Sequence, residues 1–108
     1  MEVKDAHALA RFDAQAMTKT KLFATVRFFT DVYGLEPGQV QKAHAHEGSD
    51  KVYVVLEGRA RVSVAGEIAD LAPGQAALAP AGSAHGVENP GPGRLKLLVY
   101  MAPHPKPT

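Results

Sequence analysis

The sequence predicts an all-β fold, a sandwich or barrel of short strands. Three observations carry this. The chain from Leu22 onward is rich in β-branched and aromatic residues. Seven short apolar segments follow one another, each closed by glycine- or proline-bearing punctuation. No stretch sustains a long helical period.

Taken in order, residues 1 to about 21 carry mixed signals, and "DAHALARFDAQA" suits either a short helix or a loose edge strand. "LFATVRFFTDVYGL" has the composition of strands, and "EPGQ" then supplies a Pro-Gly turn. The seven segments are "VQKAHAH", "KVYVVLE", "ARVSVAG", "EIADLA", "QAALAP", "AHGVEN" and "RLKLLVYMA". They are separated by "EGSD", "EG", "AG", "APG", "PAG" and "NPGPG". Gly58, Gly66 and Gly74 each follow a segment and suit turns. The tail "PHPKPT", residues 103–108, reads as frayed or extended.

The 108 residues make one domain, enough for a modest core. Positions 1–54 hold seven basic and seven acidic residues, and positions 55–108 hold five and four. Such a balance forms no basic stripe, so neither nucleic acid nor an anionic membrane is an expected partner. There is no cysteine, which excludes disulfides and thiolate ligands and suits a reducing cytoplasm. The start "MEVKDAHALARF" lacks the apolar run of a signal peptide, and no later segment is built to span a bilayer. A cytoplasmic location is the expectation.

Three of the five histidines stand out. His44 and His46 are two residues apart, and strand side chains alternate, so both project from one face. His85 follows the turn "PAGSA", where Pro80 and Gly82 suit the second and fourth places of a type I turn. If its strand pairs near the first, three imidazoles converge. Three neutral nitrogen ligands with positions left open describe a reactive metal site rather than a closed structural one. His7 and His104 lie in the terminal segments and read as ordinary surface residues.

The spacing around these residues resembles two signatures of the cupin superfamily. The first runs Gly38, five residues, His44-x-His46, four residues, an expected Glu, six residues, Gly58. The second runs Gly74, five residues, Pro80-x-Gly82, two residues, His85, three residues, Asn89. All of the second matches, and all but one position of the first. The motif core therefore spans 38–89 of a single domain, 1–108. The resemblance implies a double-stranded β-helix, or jelly-roll barrel, with a divalent transition metal (Mn, Fe, Ni, Cu or Zn) on His44, His46 and His85. It also implies a homodimer that buries exposed strand edges, with the N-terminal segment 1–21 at the interface and "LFATVRFF" contributing. It does not name a reaction, since this fold hosts many.

The missing position is Lys51, where a ligand carboxylate is usual. By strand parity Lys51 shares a face with Tyr53 and Val55, which in the family register points inward. Three accounts follow. In one, a three-histidine site persists and Lys51 lays its stem on apolar wall with its ammonium in solvent. In another, Asp50 or Glu47 substitutes for the Glu through an irregularity in "EGSD". In the last, the metal is gone and Lys51 is an anion-binding group or a buried amine. At ~5 Å and an effective dielectric of ~20, each unit of metal charge costs roughly 3 kcal/mol against one ammonium. A charged, inward lysine and a tightly held divalent ion therefore oppose each other.

Tyr53, Phe28, Phe29 and Tyr33 suit either core or cavity wall, Arg27 solvent, and Asn89 a backbone-bonding turn. The functional expectation is a metal-binding cupin of small-molecule metabolism, an oxygenase or isomerase whose metal lies at the bottom of an apolar pocket. Lys51 and Tyr53 are its candidate substrate-binding residues. The rival expectation is a non-catalytic binding protein, metal-free, in which Lys51 grips a small anion.

Overall fold

A computed structural model describes residues 1–105. Nine strands form two antiparallel sheets: β1 (Thr18–Ala24), β2 (Phe29–Leu35), β3 (Val40–His44), β4 (Asp50–Glu57), β5 (Ala60–Val64), β6 (Glu67–Leu71), β7 (Ala76–Ala79), β8 (His85–Glu88) and β9 (Leu95–Ala102). One sheet has the order β1-β2-β9-β4-β7 and the other β3-β8-β5-β6. All seven segments after the Pro-Gly turn become strands, β3 to β9. Among the described residues, no helix is long and apolar enough to cross a membrane.

Alternation decides which face each strand buries. Along β4, Lys51, Tyr53 and Val55 are buried, and along β9 so are Leu95, Leu97, Val99 and Met101. Tyr53, Val55, Leu95, Leu97 and Val99 form one core with Val62, Leu71 and Val87 of the opposing sheet and with Tyr33 and Leu35. Each fully buried Val or Leu contributes about 1.5–3 kcal/mol relative to exposure. Positive φ at Gly58, +86°, suits the tight turn there, and an added Cβ would stand 2.2 Å from the Arg94 carbonyl oxygen.

The structure fills in two details of the N-terminal half. Of the two alternatives for "DAHALARFDAQA", the short helix is the one formed, a single turn, α1 (Ala6–Leu9), capped by Asp5, and β1 starts only after that stretch, at Thr18. "LFATVRFFTDVYGL" is split into two strands at residues 25–28, where the Thr25 N–H bonds the Phe28 carbonyl. No glycine or proline marks that turn, so the sequence conceals it. The N-terminal segment lies over its own sheet, with Lys4 Nζ bonding the Leu22 carbonyl at 2.7 Å. At the other end, Pro103 and His104 are not frayed. The Pro103 carbonyl accepts from Ser49 Oγ at 2.8 Å, and the His104 N–H donates to the Arg27 carbonyl at 2.9 Å. Residues 106–108 of the expected tail lie outside the described residues.

One irregularity matters more than any strand boundary. In the β3–β8 ladder Gln41 pairs with Val87, but His44 pairs with His85. β3 therefore carries one extra residue, a bulge at Lys42 and Ala43. Opposite it stands Gly86, where a Cβ would sit 2.7 Å from the Gln41 carbonyl oxygen and 3.0 Å from the Ala43 nitrogen. Both obstacles are backbone, so they cannot rotate away. Gly86→Ala should lower stability by about 2 kcal/mol or more. Urea unfolding of the variant beside wild type checks this; an unchanged midpoint would mean the bulge is not required.

Candidate metal centre

His44 ends β3 and His85 opens β8, and the two are direct cross-strand partners. His46 lies just past the end of β3, in the segment leading to β4. Two hydrogen bonds tie that segment to the turn before His85. The Gly82 N–H donates to the His46 carbonyl at 2.8 Å, and the Ala81 N–H donates to Asp50 Oδ1 at 2.8 Å. The turn itself closes from Ser83 N–H to the Pro80 carbonyl at 3.0 Å. Pro80 is thus its first residue, not its second. Gly82 takes the third place, where its φ of +82° is the conformation of a type II turn rather than the expected type I.

The three imidazoles converge. Ring centroids lie 4.5 Å apart for His44–His85, 5.0 Å for His44–His46 and 5.7 Å for His46–His85. One nitrogen from each lies within 4.8 Å of the others. Metal–nitrogen bonds of about 2.0–2.1 Å hold two ligands up to ~4 Å apart, so modest ring movements suffice to share one ion. Two of the rings are already oriented. His44 Nδ1 meets the Lys42 carbonyl at 2.9 Å, and His85 Nδ1 meets the Ser83 carbonyl at 3.0 Å. A carbonyl only accepts, so each Nδ1 carries the proton and each Nε2 presents a lone pair.

His85 Nε2 is the telling atom. His85 is 1% exposed, and its Nε2 is buried with no hydrogen-bond partner. A buried, unpaired polar atom costs about 1–3 kcal/mol, and a metal ion is the natural group to satisfy this one. Burial pushes the His85 pKa down to about 4, and the Lys51 and histidine charges push it the same way against the Ser83 carbonyl. Burial likewise lowers His46, with His44, Lys51 and Lys19 adding to the effect. Neutral imidazoles at pH 7 are what a metal requires.

The surroundings differ from the expected apolar pocket, because polar side chains line this end of the interior. Lys51 faces inward as parity predicts, but it does not reach solvent: it is 1% exposed. Its Nζ donates to Gln41 Oε1 at 3.2 Å and stands over the rings of Tyr53 (4.9 Å) and Tyr33 (5.4 Å). The short distance back to Gln41 satisfies the amine better than a stretched path to water. Tyr53 Oη also donates to Gln41 Oε1, at 2.9 Å, and Gln41 Nε2 donates to Tyr33 Oη at 3.3 Å. Neither substitute carboxylate comes in. Asp50 is exposed and occupied by the Ala81 N–H, while Glu47 is exposed beside Gly82. Asn89 bonds backbone at Leu35, Gly91 and Gly93, as expected.

Sequence reasoning missed Gln41 and Asp31. Gln41 lies three residues before His44, so regular alternation puts the two on opposite faces; the bulge puts both inside. A glycine within the segment "AHGVEN" was the available signal for that bulge. Asp31 shares the β2 face of Tyr33 and is half-buried. Burial raises its pKa, while Lys19, Lys51, Lys21 and His104 oppose the rise.

Burial lowers the Lys51 pKa from 10.5 to about 8, with Lys19 adding to the effect and Asp31 opposing it. The ammonium form therefore still prevails at pH 7. Between pH 8 and 10.5 the unfolded chain holds a proton that the folded one has released, so stability rises with pH across that window. The gain is readable up to pH 10. Above it the Tyr33 phenol, raised to about 12 by burial, and the Tyr53 phenol, raised for the same reason, begin to oppose it. Lys51→Met removes this contribution and leaves Gln41 Oε1 bonded to Tyr53. From pH 7 to 10 wild type should gain up to ~2 kcal/mol relative to the variant. Parallel urea titrations measure it, and identical pH profiles would mean that Lys51 is solvated.

Comparison with known proteins agrees with this geometry. Residues 31–101 match the cupin domain. The crystal structure of TT1209 from Thermus thermophilus is 52% identical, over 95% of this chain and 98% of that one, with a TM-score of 0.93. An RmlC-like cupin protein from Desulfovibrio desulfuricans is 25% identical over 95% and 97% of the two chains, with a TM-score of 0.85. A predicted oxalate decarboxylase from Thermotoga maritima, 22% identical over 80% and 79%, shares the fold at a TM-score of 0.75. No curated protein matches the chain. With the second signature complete and the first lacking only its Glu, the paired β3 and β8 carrying their histidines and the family match spanning most of the barrel, this chain belongs to the cupins.

Proposed function

We propose that the protein is a small metal-binding cupin of small-molecule metabolism. In this reading His44, His46 and His85 hold a divalent transition metal, Mn, Fe, Ni, Cu or Zn, through their Nε2 atoms. The observation that carries it is the buried, unpartnered Nε2 of His85 beside two imidazoles whose spacing suits the same ion. Such an ion, with three neutral ligands and open positions, supplies Lewis acidity toward a small oxygenated substrate, as in an oxygenase or isomerase. The chain's own residues do the rest. The Lys42 and Ser83 carbonyls keep two rings in the ligating tautomer. Gln41, held by Tyr53 and Lys51, lines the interior beside them without contributing a carboxylate.

A second reading has one specific observation in its favour. Lys51 occupies the position of the usual ligand carboxylate and is buried there, which suits a non-catalytic, metal-free protein that binds a small anion. We favour the metal because Lys51 already has Gln41 and two aromatic faces as partners, whereas His85 Nε2 has none. The proposal includes a homodimer. It is supported by the outer face of the five-stranded sheet, where Leu78, Val52 and Tyr100 line up across three strands and Tyr100 is 42% exposed.

Elemental analysis of protein purified without a metal-affinity tag tests the metal. Wild type should carry near-stoichiometric metal, and His85→Ala should lose most of it. A wild type that is metal-free and takes up none of the five ions at neutral pH would overturn the reading in favour of the metal-free one.

A further inference from the structure

Two of the three clustered imidazoles are held by carbonyls, and the third is not. His44 and His85 are each fixed at Nδ1, whereas among the described residues no hydrogen bond reaches the His46 ring. His46 also borders a cleft of about 290 Å³. The described residues that line it come from two segments alone, 46–49 and 103–105. The cleft over His46 therefore exists only while the segment after β9 stands where it does.

That segment is tied down at successive residues. Ser49 Oγ donates to the Pro103 carbonyl at 2.8 Å, and Ser49 is only 4% exposed. One residue on, the His104 N–H donates to the Arg27 carbonyl at 2.9 Å, in the turn between β1 and β2. The His104 ring then packs edge-on against Phe29 of β2, with centroids 5.2 Å apart. His104 lines a second cleft as well, one of about 530 Å³ that Phe29 and Asp31 also line. One imidazole is thus a wall shared by two clefts.

We propose that the segment after β9 is a latch over the histidine cluster, with Ser49 and His104 as positioning residues that act through His46. Closed, the latch confines the His46 ring beside its two partners and narrows the approach to it. Open, it frees the ring to turn and joins the two clefts into one path toward His46. Losing one net hydrogen bond shifts such an equilibrium roughly two- to tenfold. Each tie is therefore strong enough to matter and weak enough to release. The latch stands on this geometry alone, and its bearing on metal exchange rests on the metal reading above.

The test is the rate at which diethyl pyrocarbonate modifies each histidine of metal-stripped protein at pH 7, read by peptide mass spectrometry. His7, exposed in α1, is the internal standard. The His46 rate relative to His7 should rise at least about threefold in Ser49→Ala and in His104→Ala. His104→Phe should stay near wild type, because it keeps the backbone bond to Arg27 and a ring against Phe29. An unchanged His46 rate in either alanine variant overturns the proposal. So does a His104→Phe variant as reactive as His104→Ala, since ring packing would then not be what closes the cleft. A parallel rise at the buried His85 would report loosening of the whole barrel and overturns it too. On cobalt-loaded protein, loss of the metal to excess chelator should quicken by a similar factor in both alanine variants, and unchanged release counts against the latch. If cobalt does not load, the metal reading fails by itself and the modification rates still decide the latch.

Discussion

The extra residue in β3, opposite Gly86, is the constraint on which the interior depends. Without it, alternation would turn Gln41 outward whenever His44 turned inward. With it, one short strand delivers both a ligand-type imidazole and the amide that holds Lys51 and Tyr53. The glycine is required because two strands approach at backbone distance there. A bulge is a local defect in a ladder, costing hydrogen bonds and adding twist. Here it re-aims side chains that regular pairing would separate.

Around that bulge the protein keeps a lysine almost wholly out of water, an arrangement that is unfavourable unless the amine is compensated. Compensation comes from one shared amide oxygen and two aromatic faces, which is partial, and the Lys51 pKa falls to about 8 as a result. The same charge acts on His85 and His46 and helps keep them neutral. A cation among imidazoles, beside a shared Asp31, produces an interior with a standing excess of positive charge.

The two halves of the site reach each other through loops as well as strands. Gly82 donates to the His46 carbonyl, and Asp50 caps the Ala81 N–H, so the turn before His85 is tied to the chain on either side of Gly48. This explains why Asp50, adjacent to the expected ligand position, is not a ligand. Its carboxylate serves the backbone on the outside while Lys51 points in.

Much was legible from sequence. The seven strands after the Pro-Gly turn and the shared face of Lys51, Tyr53 and Val55 follow from turn residues and period-two alternation, while the inward direction of that face and the three-histidine grouping were implied by the family resemblance. Turn residues and alternation are local properties, set by a residue and its near neighbours along the chain. The turn at residues 25–28, the inward placement of Gln41, the depth of Lys51 and the nearness of Asp31 were decided only in the tertiary structure. A bulge shifts parity by one without changing composition, and the partner of a buried amine lies on another sheet. Pairing between distant segments, not the sequence around each residue, determines which polar groups end up sharing one interior.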